Sequence, residues 1–185
     1  MSQAQLTPAV SDDDHVAGPS DAAVTLVEYG DYECPYCGMA YPIVKSLQRH
    51  LGATLRFVFR NFPLQESHAH AEHAAEAAES AGAQGKFWAM HDALYENQDA
   101  LDDDDLVAYA DEIGVDGERV ARDLESGTWA RRVRDDFRSG VRSGVNGTPT
   151  FFINGERYDG EWTDESEFLR ALREAAEMSD THLRT

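Results

Sequence analysis

A strand, a helix and a second strand follow one another near the start of the chain, and this order restricts the fold more than any other feature. Residues 22–30 (AAVTLVEYG) are largely apolar and β-branched, which is typical of a strand in the middle of a sheet. Pro35 suits the first turn of a helix that ends at Gly52. Residues 54–62 (TLRFVFRNF) alternate as a second strand. This order predicts a right-handed parallel β-α-β unit.

The remainder of the chain is helical at first and then returns to strands. Residues 67–144 contain apolar side chains at helical spacing and no strand pattern. Residues 148–162 predict a hairpin that turns at Asn154 and Gly155, because an Asn-Gly pair accepts the left-handed backbone of a tight turn. A last helix is predicted to start at Asp164. The fold class is therefore α/β, with a helical subdomain inserted between its two halves.

The charge of the chain excludes some partners. The sequence has 35 acidic and 16 basic residues, a formal net charge of −19 and a pI near 4.5. Nucleic acid and anionic membrane surfaces are poor partners for such a protein. The first twenty residues lack the basic start and apolar run of a signal peptide. We therefore expect a cytoplasmic protein, or an exported one if the true N-terminus is missing from this sequence.

The two cysteines of the chain, Cys34 and Cys37, are three positions apart in the motif CPYC. The motif lies where the first strand meets the first helix. Backbone N–H groups and the helix dipole favour a thiolate at such a helix start, so Cys34 is predicted to be the attacking sulfur. Cys37 lies one turn further along the helix and is predicted to resolve the mixed disulfide that results.

Two other interpretations of the cysteines remain open, a zinc site and inert packing. Zinc requires two further ligands, for which His68, His70 and His73 are the candidates. Their spacing prevents all three from converging on one helix face, and we predict no metal site. Inert packing is disfavoured because the strand-to-helix junction is expected to be an exposed turn.

The motif GTPTFFING places Pro149 where a strand begins. A cis peptide bond before Pro149 would leave the backbone of Thr148 available to pair with an extended substrate chain. A trans proline that opens an edge strand is equally compatible with the composition.

Glu28 is a carboxylate inside the apolar run VTLVEYG. Such a group is costly to bury unless it is paired or protonated, so we expect a raised pKa and a role as proton carrier for Cys37. The alternative is that its side chain reaches the edge of the sheet and water.

Three stretches together resemble the DsbA-like family of thiol:disulfide oxidoreductases: ECPYC, FRNFPL with the later AAEAAESAGAQGKFWAMHDALYENQ, and GTPTFFING. The resemblance covers residues 22–178. It implies a thioredoxin-like fold, Cys34 as nucleophile, Cys37 as resolving cysteine and a cis-Pro149 beside their disulfide. It also implies that Glu28 matches the buried acidic residue of the family, and that His68 has a role in the fold rather than in catalysis.

The resemblance further implies a division of the chain and a set of partners. The expected division is a flexible segment 1–21, a thioredoxin-like domain 22–63 and 128–180, and an inserted helical subdomain 64–127. The expected substrates are protein or peptide thiols and disulfides, and the expected electron partner is a redox protein or glutathione. Besides the redox-active disulfide Cys34–Cys37, no cofactor is expected. Residues expected to contact the substrate are Pro35, Tyr36 and Thr148.

Several residues depart from the pattern of the best-known periplasmic members of that family. Tyr36 stands where those proteins have a histidine between the cysteines, and Asp31 and Glu33 add negative charge near Cys34. The second strand has no lysine to pair with Glu28, although Arg56 or Arg60 could replace it. A less stabilised thiolate predicts a milder oxidant than the periplasmic members. The alternative functions are a glutathione-dependent enzyme, either glutaredoxin-like or a transferase or isomerase, and a non-enzymatic metal-binding module.

Overall fold

The computed structural model describes residues 4–182, and its elements follow the predicted α/β order. The strands are β1 (His15–Ala17), β2 (Val24–Gly30), β3 (Leu55–Asn61), β4 (Thr150–Ile153) and β5 (Glu156–Tyr158). The helices are α1 (Pro35–Leu51), α2 (Ala71–Gly82), α3 (Phe87–Glu96), α4 (Asp103–Glu112), α5 (Gly117–Ser126), α6 (Ala130–Arg142) and α7 (Glu165–His182). Among these described helices, none combines the length and the apolar character that crossing a bilayer requires.

The five strands form one sheet in the order β1-β3-β2-β4-β5. The strand β2 is central and every one of its residues is buried, as its largely apolar run predicted. The strand β4 pairs antiparallel with β2, where Tyr29 faces Thr150, and with β5 on its other side. The start of β4 therefore lies beside the carboxyl end of β2.

The predicted hairpin between β4 and β5 is confirmed. Asn154 and Gly155 have φ angles of 50° and 86°, the left-handed backbone that a tight two-residue turn requires. The side chain of Asn154 also accepts a hydrogen bond from the Thr25 N–H at 2.8 Å, which attaches the turn to the neighbouring strand. The last helix begins as predicted, since Asp164 Oδ1 accepts from the N–H groups of Ser166 and Glu167.

The N-terminal segment differs from the expectation that residues 1–21 are flexible. The short strand β1 pairs antiparallel with β3, with Val16 opposite Val58. Arg60 on β3 donates to both carboxylate oxygens of Asp14, at 2.7 and 2.9 Å, and the two side chains are only 3% and 5% exposed. Composition alone does not indicate such a strand, because the segment is held by backbone pairing and a buried ion pair and has no apolar pattern.

The described chain divides into two compact units. The first contains the residues up to Tyr29, Met39–Arg60 and the residues from Ser139 onward. The second contains Gly30–Gly38 and Asn61–Arg138. The second unit thus contains the whole of the predicted helical insertion, residues 64–127, together with the turn that carries both cysteines.

Candidate active site

The two cysteines lie close together at the start of α1. The Cys34 carbonyl accepts the first helical hydrogen bond, from the Gly38 N–H at 3.0 Å, and the Cys34 N–H donates to the Asp31 carbonyl at 3.2 Å. Cys34 is therefore the residue immediately before the helix, at the position whose side chain lies next to the N–H groups of the first turn. These groups and the helix dipole favour a negatively charged sulfur there.

The two cysteines of the motif are less accessible than the two residues between them. Cys34 is 4% exposed and Cys37 is fully buried, whereas Pro35 is exposed and Tyr36 is 62% exposed. The sulfurs are thus more buried than an exposed turn implied, although Cys34 remains the more accessible of the two. A chain approaching Cys34 meets Pro35 and Tyr36 as the exposed residues of this turn.

Asp31 anchors the turn that precedes Cys34. Its carboxylate is completely buried and accepts hydrogen bonds from the N–H groups of Glu33 and Leu64, each at 2.8 Å. It also accepts one from His68 Nδ1 at 2.8 Å. Asp31 therefore adds negative charge near Cys34 as expected, but this charge is buried and is compensated by an imidazole rather than screened by solvent. Asp31 joins the cysteine turn to the loop that follows β3, and its charge faces an imidazole.

The other two histidines of the motif SHAHAEH are each directed to a separate carboxylate. His70 donates through Nδ1 and its backbone N–H to Glu33, at 3.0 and 2.7 Å, and His73 donates to Asp103 at 2.6 Å. Burial opposes ionisation of Glu33, but its bonds to His70 prevail and the pKa of Glu33 is lowered. Within residues 4–182, no group of three or more histidine, cysteine or acidic side chains is arranged to hold a metal ion.

Gln98 supports the cysteine turn from the helical part of the second unit, a role that the sequence did not reveal. Its Nε2 donates to the Tyr32 carbonyl at 2.8 Å and to the Cys34 carbonyl at 3.0 Å. A Cβ atom added at Gly38 would collide with the side-chain amide of Gln98. Gly38, four residues after Cys34, therefore makes room for this amide. The glycine at this position is the one feature of the sequence that hinted at a neighbouring side chain.

We expect Gly38→Ala to destabilise the protein by about 1–3 kcal/mol, because the new methyl group displaces the amide of Gln98. The measurement is the free energy of unfolding in denaturant. The matched control is Gly38→Ala combined with Gln98→Ala, in which the methyl group has room. The double variant should then be at most slightly less stable than Gln98→Ala alone. Equal losses in both backgrounds would contradict the assigned collision.

Thr148 and Pro149, which the resemblance implied to lie beside the disulfide, belong to the first unit. The Thr148–Pro149 peptide bond is cis, as the resemblance implied, and both residues are half-buried immediately before β4. Thr150, the next residue, donates through its hydroxyl to the Gly147 carbonyl at 2.7 Å. The cis bond before Pro149 excludes the alternative of a trans proline.

Glu28 lies on β2 opposite Phe151 of β4 and is only 2% exposed, so its side chain does not reach water at the sheet edge. Neither candidate arginine takes the place of the missing lysine. Arg60 is directed to Asp14 and the Tyr29 hydroxyl, and Arg56 to the Thr25 hydroxyl and a backbone carbonyl.

Comparison with known proteins places these features in a family. The model of the thioredoxin family matches residues 10–173. The chain is 45% identical over 161 residues to the Na(+)/H(+) antiporter NhaA 1 of Salinispora arenicola, which covers 87% of this chain and 24% of that protein. It is 42% identical over 169 residues to the Na(+)/H(+) antiporter NhaA 1 of Mycobacterium sp. (strain KMS), covering 90% and 27%. The chain thus spans about a quarter of the length of the curated relatives that it matches.

Solved structures agree with this assignment over almost the whole chain. Oxidised BdbD from Bacillus subtilis superposes with a TM-score of 0.84 at 24% identity, covering 96% of this chain and 100% of that one. A thioredoxin-like oxidoreductase from Silicibacter pomeroyi gives 0.78 at 29% identity, covering 90% and 94%. The alpha-DsbA1 protein of Wolbachia pipientis gives 0.81 at 16% identity, covering 94% and 96%. The predicted thioredoxin-like fold is confirmed by these matches.

Proposed function

Because this chain belongs to the thioredoxin family and has the fold of DsbA-like proteins, we propose that it is a thiol:disulfide oxidoreductase whose redox group is the Cys34–Cys37 pair. The observation that carries the proposal is the position of Cys34 immediately before α1, with the buried Cys37 one turn behind it. Such a pair can exchange a disulfide with another molecule without any further cofactor. The proposed substrates are thiols and disulfides of proteins or peptides.

As an oxidant, the protein starts with a Cys34–Cys37 disulfide. A substrate thiolate attacks the sulfur of Cys34, a mixed disulfide forms, and Cys37 leaves as a thiolate that takes up a proton. A second substrate thiolate then attacks the substrate sulfur of the mixed disulfide and releases Cys34 as a thiolate. The substrate dithiol loses two electrons and two protons. The cysteine pair gains both electrons and the proton on Cys37, and the second proton passes to water while Cys34 remains a thiolate.

As a reductant, the protein runs the same steps in reverse. The Cys34 thiolate attacks a substrate disulfide, and Cys37 then attacks the Cys34 sulfur and releases the second substrate thiolate. In either direction Cys37 must exchange a proton although it is buried. We propose that Glu28, itself buried in β2, carries this proton.

The proposed substrate contacts follow from exposure and backbone. Pro35 and Tyr36 are the exposed residues between the two sulfurs, and we propose that they contact the incoming chain. Thr148 precedes cis-Pro149, and we propose that its backbone pairs with an extended segment of the substrate. The proposal concerns this chain and, in its antiporter relatives, only the quarter of their length that matches it.

The function is tested by equilibrating the protein with mixtures of reduced and oxidised glutathione and by following dithiothreitol-driven insulin reduction. We expect one two-electron transition of the Cys34–Cys37 pair and accelerated insulin reduction. The reduction potential should lie below roughly −120 mV, the value typical of the strong oxidant DsbA, because Tyr36 replaces its stabilising histidine. A pair that does not equilibrate with glutathione and leaves insulin reduction at the uncatalysed rate would refute the function.

Two alternatives have separate signatures in the same experiments. A glutaredoxin-like enzyme would act on a glutathionylated peptide in preference to insulin, because it recognises the glutathione moiety. A metal-binding module would retain zinc after mild purification, and a variant in which both cysteines are replaced by serine would not retain it.

A further inference from the structure

The negative charge near Cys34 raises the question of what stabilises its thiolate. Asp31 and Glu33 precede the cysteine within three positions, and the residue between the cysteines is Tyr36 rather than a histidine. Two carboxylates so close would disfavour a third negative charge if nothing compensated them. A cationic group near Cys34 would offset these two charges and add to the stabilisation that the start of α1 provides.

His68 is connected to the cysteine turn through Asp31. It belongs to the loop after β3, and its Nδ1 donates to the buried Asp31 carboxylate at 2.8 Å. The Leu64 N–H donates to the same Asp31 oxygen, and the Cys34 N–H donates to the Asp31 backbone carbonyl. The imidazole and the cysteine are thus held by the same aspartate. The His68 side chain is 18% exposed, so its charge is only partly screened by water.

The charge state of His68 is set by its surroundings. Burial alone would lower the pKa of His68, but the hydrogen bond to Asp31 and the charges of Asp31, Cys34 and Glu33 together raise it. The negative sulfur of Cys34 is thus one of the groups that favours the imidazolium. The coupling is reciprocal, so the imidazolium must favour the thiolate by the same free energy.

We propose that His68, oriented by the buried carboxylate of Asp31, is a positioning residue that supplies the positive charge stabilising the Cys34 thiolate. The inference rests on the proposed thiol:disulfide exchange and names the residue that tunes it. The charged groups that face this centre are Asp31 and Glu33, and Glu33 is in turn paired with His70. In the reduced protein the aspartate, the imidazolium and the thiolate form one array, and in the disulfide form the thiolate charge is absent.

The first test is the thiolate titration of Cys34 in the reduced protein, followed by ultraviolet absorbance and by the rate of alkylation. We expect His68→Gln to raise the pKa of Cys34 by about one unit, the lower end of what a nearby opposite charge provides. The equilibrium constant with glutathione should shift by about three- to tenfold towards the disulfide form. His68→Lys keeps the charge and should restore most of both values.

The matched control is His73→Gln, which breaks a histidine–carboxylate pair of the same motif that is bound to Asp103 instead of Asp31. It should leave the Cys34 titration unchanged. Thermal unfolding of each variant shows whether it is folded. A folded His68→Gln protein that titrates like the wild type would overturn the proposal, as would an equal shift in His73→Gln.

A second test requires no His68 variant and measures how the Cys34 thiolate changes the pKa of His68. The titration of the His68 imidazole is followed by NMR in the wild type and in Cys34→Ser. We expect a higher pKa for His68 in the reduced wild type than in Cys34→Ser, since only the former develops a thiolate. Identical titrations would overturn the proposal. The two titrations, unlike the equilibration with glutathione, are independent of catalysis: a protein that exchanged no disulfide would refute the proposed function and leave these titrations readable.

Discussion

Replacing Cys37 by serine is expected to trap the protein in a mixed disulfide with its substrate. Cys37 is fully buried one turn behind Cys34, so its sulfur can attack the Cys34 sulfur but is not reached by an incoming chain. Without it, the mixed disulfide on Cys34 is released only by a second external thiol. Replacing Cys34 removes the accessible sulfur altogether, and we expect Cys34→Ser to lower the exchange rate by roughly two orders of magnitude or more.

Both variants are measured with disulfide-bonded insulin as substrate, in which the Cys34 thiolate attacks a disulfide and releases one insulin thiolate, and with non-reducing electrophoresis to detect the adduct. Cys37→Ser should accumulate a covalent complex that dithiothreitol dissolves, and Cys34→Ser should form none. The double variant is the control for non-covalent association. Normal insulin reduction by Cys34→Ser, or an adduct on Cys37 in that variant, would show that the two roles are assigned to the wrong cysteines.

The largest effect on stability is expected from Arg60→Met, which should lower the free energy of unfolding by about 3–5 kcal/mol. Arg60 is the buried partner of Asp14 and also donates to the Tyr29 hydroxyl and to two backbone carbonyls of the N-terminal segment. Burial disfavours its charge, but the bonds to Asp14 and Tyr29 prevail and the pKa of Arg60 is raised. Methionine would leave the Asp14 carboxylate buried without its counter-ion.

Two comparisons separate the buried charge from the loss of a long side chain. Arg56 lies on the same strand and bonds only to the Thr25 hydroxyl and one backbone carbonyl, so Arg56→Met should cost no more than about 1 kcal/mol. Combining Arg60→Met with Asp14→Leu should recover much of the loss, because no charge then remains buried. If Arg60→Met and Arg56→Met were equally mild in denaturant unfolding, the ion pair would not be what attaches β1 to the sheet.

The local elements could be predicted because they depend on neighbours in the sequence. The buried strand β2 follows from a largely apolar run, and the hairpin turn follows from Asn154 and Gly155, whose backbone preferences are intrinsic. Cys34 at the start of α1 follows from Pro35, because a proline is favoured in the first turn of a helix, where its missing N–H has no partner to lose. Thr148–Pro149 required the family resemblance, because composition alone left both isomers open.

The surroundings of the cysteines could not be predicted in the same way. The sequence indicated that Asp31 adds negative charge near Cys34, but not that it is buried against His68, which is 37 positions later in the chain. Gln98 is 64 positions from Cys34 and still holds its carbonyl. No periodicity or turn preference connects residues at such separations.

The sequence by itself determined where strands, helices, the hairpin and the cysteine pair occur, since backbone preference and apolar spacing act over a few residues. Only the tertiary structure decided which charges meet: Asp14 with Arg60, and Asp31 with His68. The physical reason is that burial makes an unpaired charge costly, so partners are selected by the folded packing and not by their distance along the chain.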